Sequence, residues 1–154
     1  MRTYEISDET TQAQHTAVAS ATLPATDIGP WLGRSYGQVA TAVAANGTHL
    51  AGPPFARLHR LPEGRFAVEA GFPVADPIGD SDDVHPSGLP AGPAATTVHV
   101  GPYDEMEPAY RALEEWVRSH GGEPAGDPWE IYFSEPKGDP QTWRTEIVQP
   151  YRRA

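Results

Sequence analysis

The chain has 154 residues, of which 38% are hydrophobic, a length and apolar content that fit one domain with a buried core. Its 11 basic and 21 acidic side chains give a formal net charge of −10. This charge disfavours nucleic acid and anionic membranes as partners and favours a cationic ligand. The alternative is that the acidic side chains serve only to keep the protein soluble. The absence of cysteine excludes disulfides, thiol catalysis and cysteine-ligated zinc, so the expected compartment is the cytoplasm.

The first half of the chain has the pattern of one strand, one helix and two strands. Residues 15–23 alternate and are rich in alanine, valine and threonine, which indicates a strand. Asp27 is a candidate N-cap for the helix that follows. The turn Pro62-Glu63-Gly64 separates the last two strands. The predicted elements are a strand at 15–23, a helix at 30–46 and strands at 54–60 and 65–73.

The second half repeats this order after a segment, 75–93, that is rich in proline, glycine and aspartate and is predicted to be a linker. Three acidic residues in the first turn of its helix suit the positive end of the helix dipole. The predicted elements are a strand at 94–101, a helix at 104–120 and strands at 127–134 and 142–150.

A constant offset of 74 residues relates the two halves. It places Leu32, Tyr36, Val39 and Val43 on Met106, Tyr110, Leu113 and Val117. Both sets have the spacing i, i+4, i+7, i+11 of one helix face. We therefore predict a single α+β domain over 1–154, built from a duplicated strand-helix-strand-strand unit (15–73 and 94–150) with pseudo-two-fold symmetry. Its sheets would be antiparallel, with the helices on one side and a ligand groove on the other.

The motifs of common metal and phosphate sites are absent from the sequence. The six histidines have no metal-ligand spacing, and no glycine-rich phosphate loop is present. The acidic run 79–83 has Asp83 where a nucleophile elbow needs glycine and His85 where a calcium loop needs it. We expect an exposed acidic loop there, and neither a metal nor a cofactor.

Several short motifs resemble the GyrI-like family, which includes effector-binding domains of AraC- and MerR-type regulators. The resemblance covers essentially the whole chain, and it depends on the order and spacing of the motifs more than on any one of them. In the second half they are Leu89-Pro90-Ala91-Gly92, His99-Val100-Gly101-Pro102-Tyr103, Trp129-Glu130-Ile131-Tyr132 and Thr145-Glu146-Ile147-Val148-Gln149-Pro150. In the first half they are Gly52-Pro53-Pro54-Phe55-Ala56-Arg57 and Val68-Glu69-Ala70-Gly71-Phe72-Pro73-Val74.

The resemblance implies a duplicated fold with a central pocket for bulky aromatic or cationic compounds. The chain has no residues left for a helix-turn-helix, so it is similar to stand-alone members. Some of those bind drugs or antagonise toxins, and others hydrolyse strained cyclopropane-type electrophiles. One departure is Leu58, where stand-alone relatives often have an aromatic residue.

Glu130 is the main candidate for a functional side chain. Strand alternation predicts Trp129, Ile131 and Phe133 under the helices, with Glu130 and Tyr132 facing the groove. A carboxylate among apolar side chains needs a partner, which a bulky cation can supply. The alternatives are a solvated strand face or an ion pair with a structural arginine such as Arg57 or Arg144.

Three hypotheses for function follow, in order of preference. The first is sequestration of bulky aromatic or cationic compounds, with Glu130 as the acidic anchor. The second is a hydrolase of strained electrophiles in which Glu130 is the general acid or base. The third is a protein-interaction module such as a gyrase antagonist. Tyr36 and Tyr110 lie on the core stripes of their helices, where a tyrosine is more often a packing residue than a ligand contact. Glu69 and Glu146 could each be a second pocket acid or an edge or rim residue. The predicted ligand-binding residues are Glu130, Tyr132, Trp143, Tyr103, Tyr36, Leu58, Ala56, His99, Tyr110 and Glu146.

Overall fold

The structure is a computed structural model that describes residues 3–134 and 137–153. The chain divides into two compact units, one of Met1–Thr11 with Ala91–Ala154 and one of Gln12–Pro90. In the described part of the chain, no helix is both long and apolar enough to cross a membrane. The strands are β1 (Ser7–Thr11), β2 (Gln14–Pro24), β3 (Phe55–Arg60), β4 (Arg65–Pro73), β5 (His85–Leu89), β6 (Gly92–Val100), β7 (Gly122–Pro124), β8 (Trp129–Tyr132) and β9 (Arg144–Arg153), and the helices are α1 (Ala25–Ala45) and α2 (Glu107–Ser119).

The unit of residues 12–90 is an antiparallel sheet with the strand order β3-β4-β2-β5 and one helix, α1. The helix packs Val39 and Val43 against Ala17 and Ala19 of β2, as its apolar stripe predicts. It begins at Ala25, earlier than the predicted 30, so Asp27 lies in its first turn and is not the N-cap. An acidic side chain there is still favourable, because it faces the positive end of the helix dipole.

The other unit is an antiparallel sheet with the strand order β1-β6-β9-β8, and β7 pairs with the end of β9. The apolar stripe of α2 packs onto this sheet through Leu113 and Val117, which contact a cluster containing Ala95 and Ile147. The predicted helix stripe is therefore correct in this unit as well.

The three strands of the predicted repeat have the same order in both units. In each unit the last of the three, β4 or β9, lies between the other two, as β3-β4-β2 and β8-β9-β6. The offset of 74 holds for the helices and the strands that follow them, but not for the last strands. Ala56 pairs with Ala70, whereas its counterpart Glu130 pairs with Ile147, three positions beyond the offset. The longer connection 133–143 between β8 and β9 accounts for this shift.

Three strands were not predicted, namely β1, β5 and the short β7. β5 lies inside the segment 75–93 that was predicted to be a linker, and it contains Pro86 and Gly88, which argue against a strand. Its edge position beside β2 tolerates the missing N–H of proline. β1 is a charged strand at the edge of the other sheet, and charge is typical of an edge that must not aggregate.

Candidate ligand-binding site

Glu130 is a buried carboxylate, only 5% exposed, on strand β8. One carboxylate oxygen, Oε1, accepts a hydrogen bond of 2.7 Å from the hydroxyl of Tyr132. The other, Oε2, accepts a hydrogen bond from the hydroxyl of Tyr110 on α2. In the described part of this unit no basic side chain pairs with Glu130, so the alternative of an ion pair with Arg144 is not observed, and Arg57 belongs to the other unit.

The environment of Glu130 favours its neutral form. Burial raises the pKa of Glu130, and the hydrogen bonds from Tyr110 and Tyr132 offset only part of that increase. The pKa of Tyr110 is well above its usual value, first because the phenol is buried and then because the negative charge of Glu130 is next to it. The hydroxyl of Tyr110 therefore remains a hydrogen-bond donor at every physiological pH.

The side of the sheet on which Glu130 lies differs from the prediction. Glu130 pairs with Ile147, which packs under α2, so the carboxylate is on the helix-covered face. Trp129 pairs with Val148 on the opposite face and is buried there, while Phe133 lies beyond the end of β8 and is 55% exposed. The prediction failed because alternation separates the two faces of a strand without showing which face the helix covers.

Three aromatic rings form a cluster next to the carboxylate. The ring of Tyr103 lies 5.5 Å from that of Tyr132 and 4.9 Å from that of Trp143 between centroids, and all three side chains are half-buried. Burial raises the pKa of Tyr103, and the charge of Glu130 adds to the increase. The indole N–H of Trp143 donates to the carbonyl of Lys137 at 2.9 Å, which fixes that ring. We call Tyr103, Tyr132 and Trp143 the aromatic cluster.

His99 supports this cluster through its hydrogen bonds. The side chain is fully buried on β6, with Nε2 3.0 Å from the carbonyl oxygen of Pro102 and Nδ1 2.9 Å from the hydroxyl of Tyr4. A carbonyl can only accept, so Nε2 donates, and in the neutral ring Nδ1 accepts from Tyr4. His99 thus anchors the backbone immediately before Tyr103, and both of its ring nitrogens already have partners.

Thr145 belongs to the same face and was not predicted. It pairs with Tyr132 of β8 on one side and with His99 of β6 on the other. The side chain is completely buried, and its Oγ1 has no hydrogen-bond partner in the described part of the chain. The repeat alignment at an offset of 74 does not show this position, because the last strand is shifted by three residues.

Glu146 lies on the other face of this sheet. It pairs with Ile131 and Val98, neighbours that point away from Glu130, so it does not join the Glu130 carboxylate. Burial raises the pKa of Glu146, and the charge of Glu9 contributes to the increase. Glu69 has the corresponding place in the other unit, where it pairs with Arg57 and accepts a hydrogen bond from Ser87 at 3.4 Å.

Three predicted residues belong to the unit of residues 12–90. The hydroxyl of Tyr36 donates to the carbonyl of Phe55 at 2.9 Å, and its ring makes an edge contact with Phe72. Ala56 pairs with Ala70, and through Ala70 with Ala19, so it faces α1, and it is completely buried. Leu58, two residues further along β3, is half-buried on the same face. Alanine in place of glutamate means that this unit has no carboxylate at the position of Glu130.

A separate open cavity of about 680 Å³ lies in the unit of residues 12–90. It is bounded by α1 on one side and by residues 81–84 on the other, with Arg34, Asp82 and Asp83 among its lining side chains. These charged groups are exposed, and no aromatic side chain lines the cavity. Its size alone therefore does not make it a site for an aromatic ligand.

Sequence comparison identifies the family. The GyrI-like small-molecule-binding domain matches residues 5–152, nearly the whole chain. This chain belongs to the GyrI-like family. The resemblance drawn from the motifs is therefore confirmed, and so is the α+β fold class. No curated protein sequence matches the chain significantly.

Solved structures similar to this chain include the C-terminal domain of EcmrR. That domain is 25% identical with a TM-score of 0.82, and the match covers 98% of this chain and 99% of that one. EcmrR in complex with DNA gives a TM-score of 0.86 at 25% identity, but this GyrI-like chain spans only 58% of the EcmrR chain.

More distant structures share the fold alone. A hydrolase encoded by lin2189 from Listeria innocua is 13% identical, with a TM-score of 0.70 and coverage of 96% of this chain and 92% of that one. SAV2435 bound to tetraphenylphosphonium is 12% identical, with a TM-score of 0.58 and coverage of 98% and 94%. The fold therefore occurs in a protein bound to a bulky aromatic cation and in one described as a hydrolase.

Proposed function

We propose that this GyrI-like protein binds and sequesters bulky aromatic cations in the cytoplasm, with Glu130 as the acidic anchor. The observation that carries the proposal is a buried carboxylate whose hydrogen-bond partners in the described structure are two phenols, with an aromatic cluster at its side. The phenols stabilise the carboxylate through hydrogen bonds but leave its negative charge uncompensated. A bound cation would supply the missing positive charge.

The aromatic cluster suits such a cation. The faces of tyrosine and tryptophan rings attract a cation by about 0.5–2 kcal/mol per contact, most strongly where water is excluded. Their apolar surface adds a contribution of about 25 cal/mol per Å² that is buried. A small hydrated cation gains little from rings, so the cluster favours a ligand whose charge is carried by or attached to an aromatic group.

One of the comparisons supports this proposal. SAV2435, which shares the fold, was solved with tetraphenylphosphonium, a phosphonium cation that carries four phenyl rings. The chemistry of that ligand matches what a carboxylate beside an aromatic cluster would select.

Hydrolysis of a strained electrophile is the second candidate, and the raised pKa of Glu130 is the observation that favours it. A carboxyl group whose pKa is raised by burial is a better general acid for ring opening than an exposed one, and its carboxylate could then accept a proton from water. Tyr110 and Tyr132 would orient it through their hydrogen bonds. Both functions use the same carboxylate, and turnover distinguishes them.

The test of the binding function is calorimetric titration of tetraphenylphosphonium, and of an aromatic dye in matched cationic and neutral forms. We expect Glu130→Gln to weaken binding of the cations by about 30-fold or more, because the loss of a buried charge partner typically costs about 2–5 kcal/mol. Neutral dye should be nearly unaffected. Glu146→Gln is the matched control, since Glu146 is also partly buried but lies on the opposite face. Equal affinities in wild type and Glu130→Gln would refute the anchor.

A further inference from the structure

Thr145 occupies the centre of the face that carries Glu130. Tyr132 and His99 are its direct neighbours on the adjoining strands, so their side chains stand beside its own. Trp143 and Ile147 are two residues away along the chain and share its face. Two of these four neighbours, Tyr132 and Trp143, are members of the aromatic cluster.

The third member of the cluster, Tyr103, contacts two of the neighbours of Thr145. The ring of Tyr103 contacts both Tyr132, which is directly opposite Thr145, and Trp143, which is two residues before it. Thr145 therefore lies on the sheet next to the positions of Tyr132 and Trp143, and we call this position the floor of the aromatic cluster. His99 lies on β6, on the side of Thr145 opposite to Tyr132, and both of its ring nitrogens have hydrogen-bond partners.

The hydroxyl of Thr145 is the unusual feature of this floor. The residue is completely buried, and Oγ1 has no hydrogen-bond partner among residues 3–134 and 137–153. Buried hydroxyls nearly always have a partner, and one without a partner destabilises the folded protein. A buried threonine oxygen without a partner in the chain suggests that a bound molecule supplies one.

We propose that Thr145 is a specificity-determining residue, and that its hydroxyl oxygen accepts a hydrogen bond from an N–H group of the bound cation. This inference rests on the proposed binding function and defines its ligand class further. Glu130 compensates the charge of any cation, whereas Thr145 distinguishes protonated amines, which carry an N–H donor, from quaternary ammonium and phosphonium ions, which carry none. The preferred ligands are therefore protonated arylalkyl amines.

The inference is tested with a matched pair of ligands, a protonated tertiary naphthylmethylamine and its N-methylated quaternary counterpart. The ratio of their dissociation constants is measured by calorimetry in wild type, Thr145→Val and Thr145→Ser. We expect Thr145→Val to reduce the preference for the tertiary amine by about tenfold, the usual effect of one hydrogen bond to a charged group. Thr145→Ser retains the oxygen and should keep most of the preference.

The outcomes separate this inference from the binding function itself. If the ratio is unchanged in Thr145→Val while both cations still depend on Glu130, Thr145 is not a specificity residue and the binding function stands. If neither cation binds wild type, the binding function fails and this inference fails with it.

A third measurement needs no ligand. Thr145→Val should melt at the same temperature as wild type or higher, because it removes an unpaired buried hydroxyl. A clearly lower melting temperature would show that the hydroxyl has a structural partner in the folded protein, and would overturn the inference.

Discussion

The hydroxyl of Tyr110 donates a hydrogen bond to the carboxylate of Glu130, and so joins helix α2 to strand β8. The two residues occupy places that correspond to Tyr36 and Ala56 in the other unit, where the tyrosine hydroxyl donates to a backbone carbonyl instead. One helix position thus carries a structural hydroxyl in one unit and a carboxylate-binding hydroxyl in the other.

Removing this hydroxyl should weaken cation binding without unfolding the protein. Tyr110→Phe takes away a hydrogen bond that favours the charged form of Glu130, so the pKa of Glu130 should rise further and fewer molecules should be ionised at neutral pH. We expect an affinity loss of about tenfold at pH 7 and a smaller loss at pH 9, measured by titration calorimetry. Tyr151→Phe is the control, because it removes a tyrosine–carboxylate hydrogen bond to Asp8 outside the site. Equal losses in the two variants would contradict a specific role for Tyr110.

Cation binding should release a proton at pH values near the raised pKa of Glu130. Burial raises the pKa of Glu130 in the free protein, so part of the population is protonated before the ligand arrives and must ionise when it binds. Affinity should therefore increase with pH up to the raised pKa and be constant above it. The check is calorimetry in two buffers of different ionisation enthalpy, which gives the number of protons released. Glu130→Gln should release none, and proton release that persists in this variant would assign the titration to another group.

The stability of the free protein should fall as pH rises through the same range. When a carboxyl has a higher pKa in the folded state than in the unfolded state, the folded protein binds more protons, and the free energy of unfolding decreases with pH between the two values. We expect Glu130→Gln to remove part of this slope and to raise the free energy of unfolding at neutral pH. Urea unfolding between pH 4 and pH 9 measures both effects. A wild-type slope that Glu130→Gln leaves unchanged would contradict the raised pKa.

The repeated helix stripes were predictable because their spacing is dictated by the helix itself. Tyr36 with Val39, and Tyr110 with Leu113, appear at one offset in the sequence and take equivalent places in the two units. Glu130 could be selected because an acidic residue between aromatic ones is unusual in a strand. Tyr132 and Tyr103 lie in the motifs that resemble the family, whereas Trp143 lies outside those motifs.

The face of strand β8 that the helix covers could not be predicted. Trp129 and Ile131 look like the core-facing set, yet the helix covers Glu130, whose charge is stabilised by phenols from two different elements. Only the tertiary structure brings Tyr110 within hydrogen-bonding distance. Thr145 was missed for a related reason, since the longer connection 133–143 changes the register of β9 and no local pattern reports the change.

The close pairing of β2 and β4 gives a prediction about stability. A Cβ atom added at Gly71 would lie 1.8 Å from the carbonyl oxygen of Ala17, so Gly71→Ala must force the two strands apart. We expect a loss of about 3 kcal/mol or more in the free energy of unfolding. Gly33→Ala is the control, because a Cβ there meets nothing within 4 Å and alanine favours the helix by about 0.5–1 kcal/mol. Similar stabilities for the two variants would show that β2 and β4 are not packed as described.

Turnover decides between sequestration and hydrolysis. A sequestering protein needs only a charge on Glu130 that persists in the complex, whereas a hydrolase needs a proton transfer at that carboxylate in every cycle. We expect incubation with a large excess of a cyclopropane-bearing aromatic electrophile to yield no more than one modified or bound molecule per protein, as followed by mass spectrometry. Several products per protein molecule, lost in Glu130→Gln through a lower kcat with little change in KM, would establish the hydrolase instead.

The variant Tyr132→Phe, compared with Tyr110→Phe, gives a second distinction between the binding function and the hydrolase. In a binder, it should reduce affinity about as much as Tyr110→Phe, because each phenol donates to one carboxylate oxygen. In a hydrolase, the two variants should shift the pH dependence of kcat, because each hydrogen bond contributes to the pKa of the catalytic carboxyl.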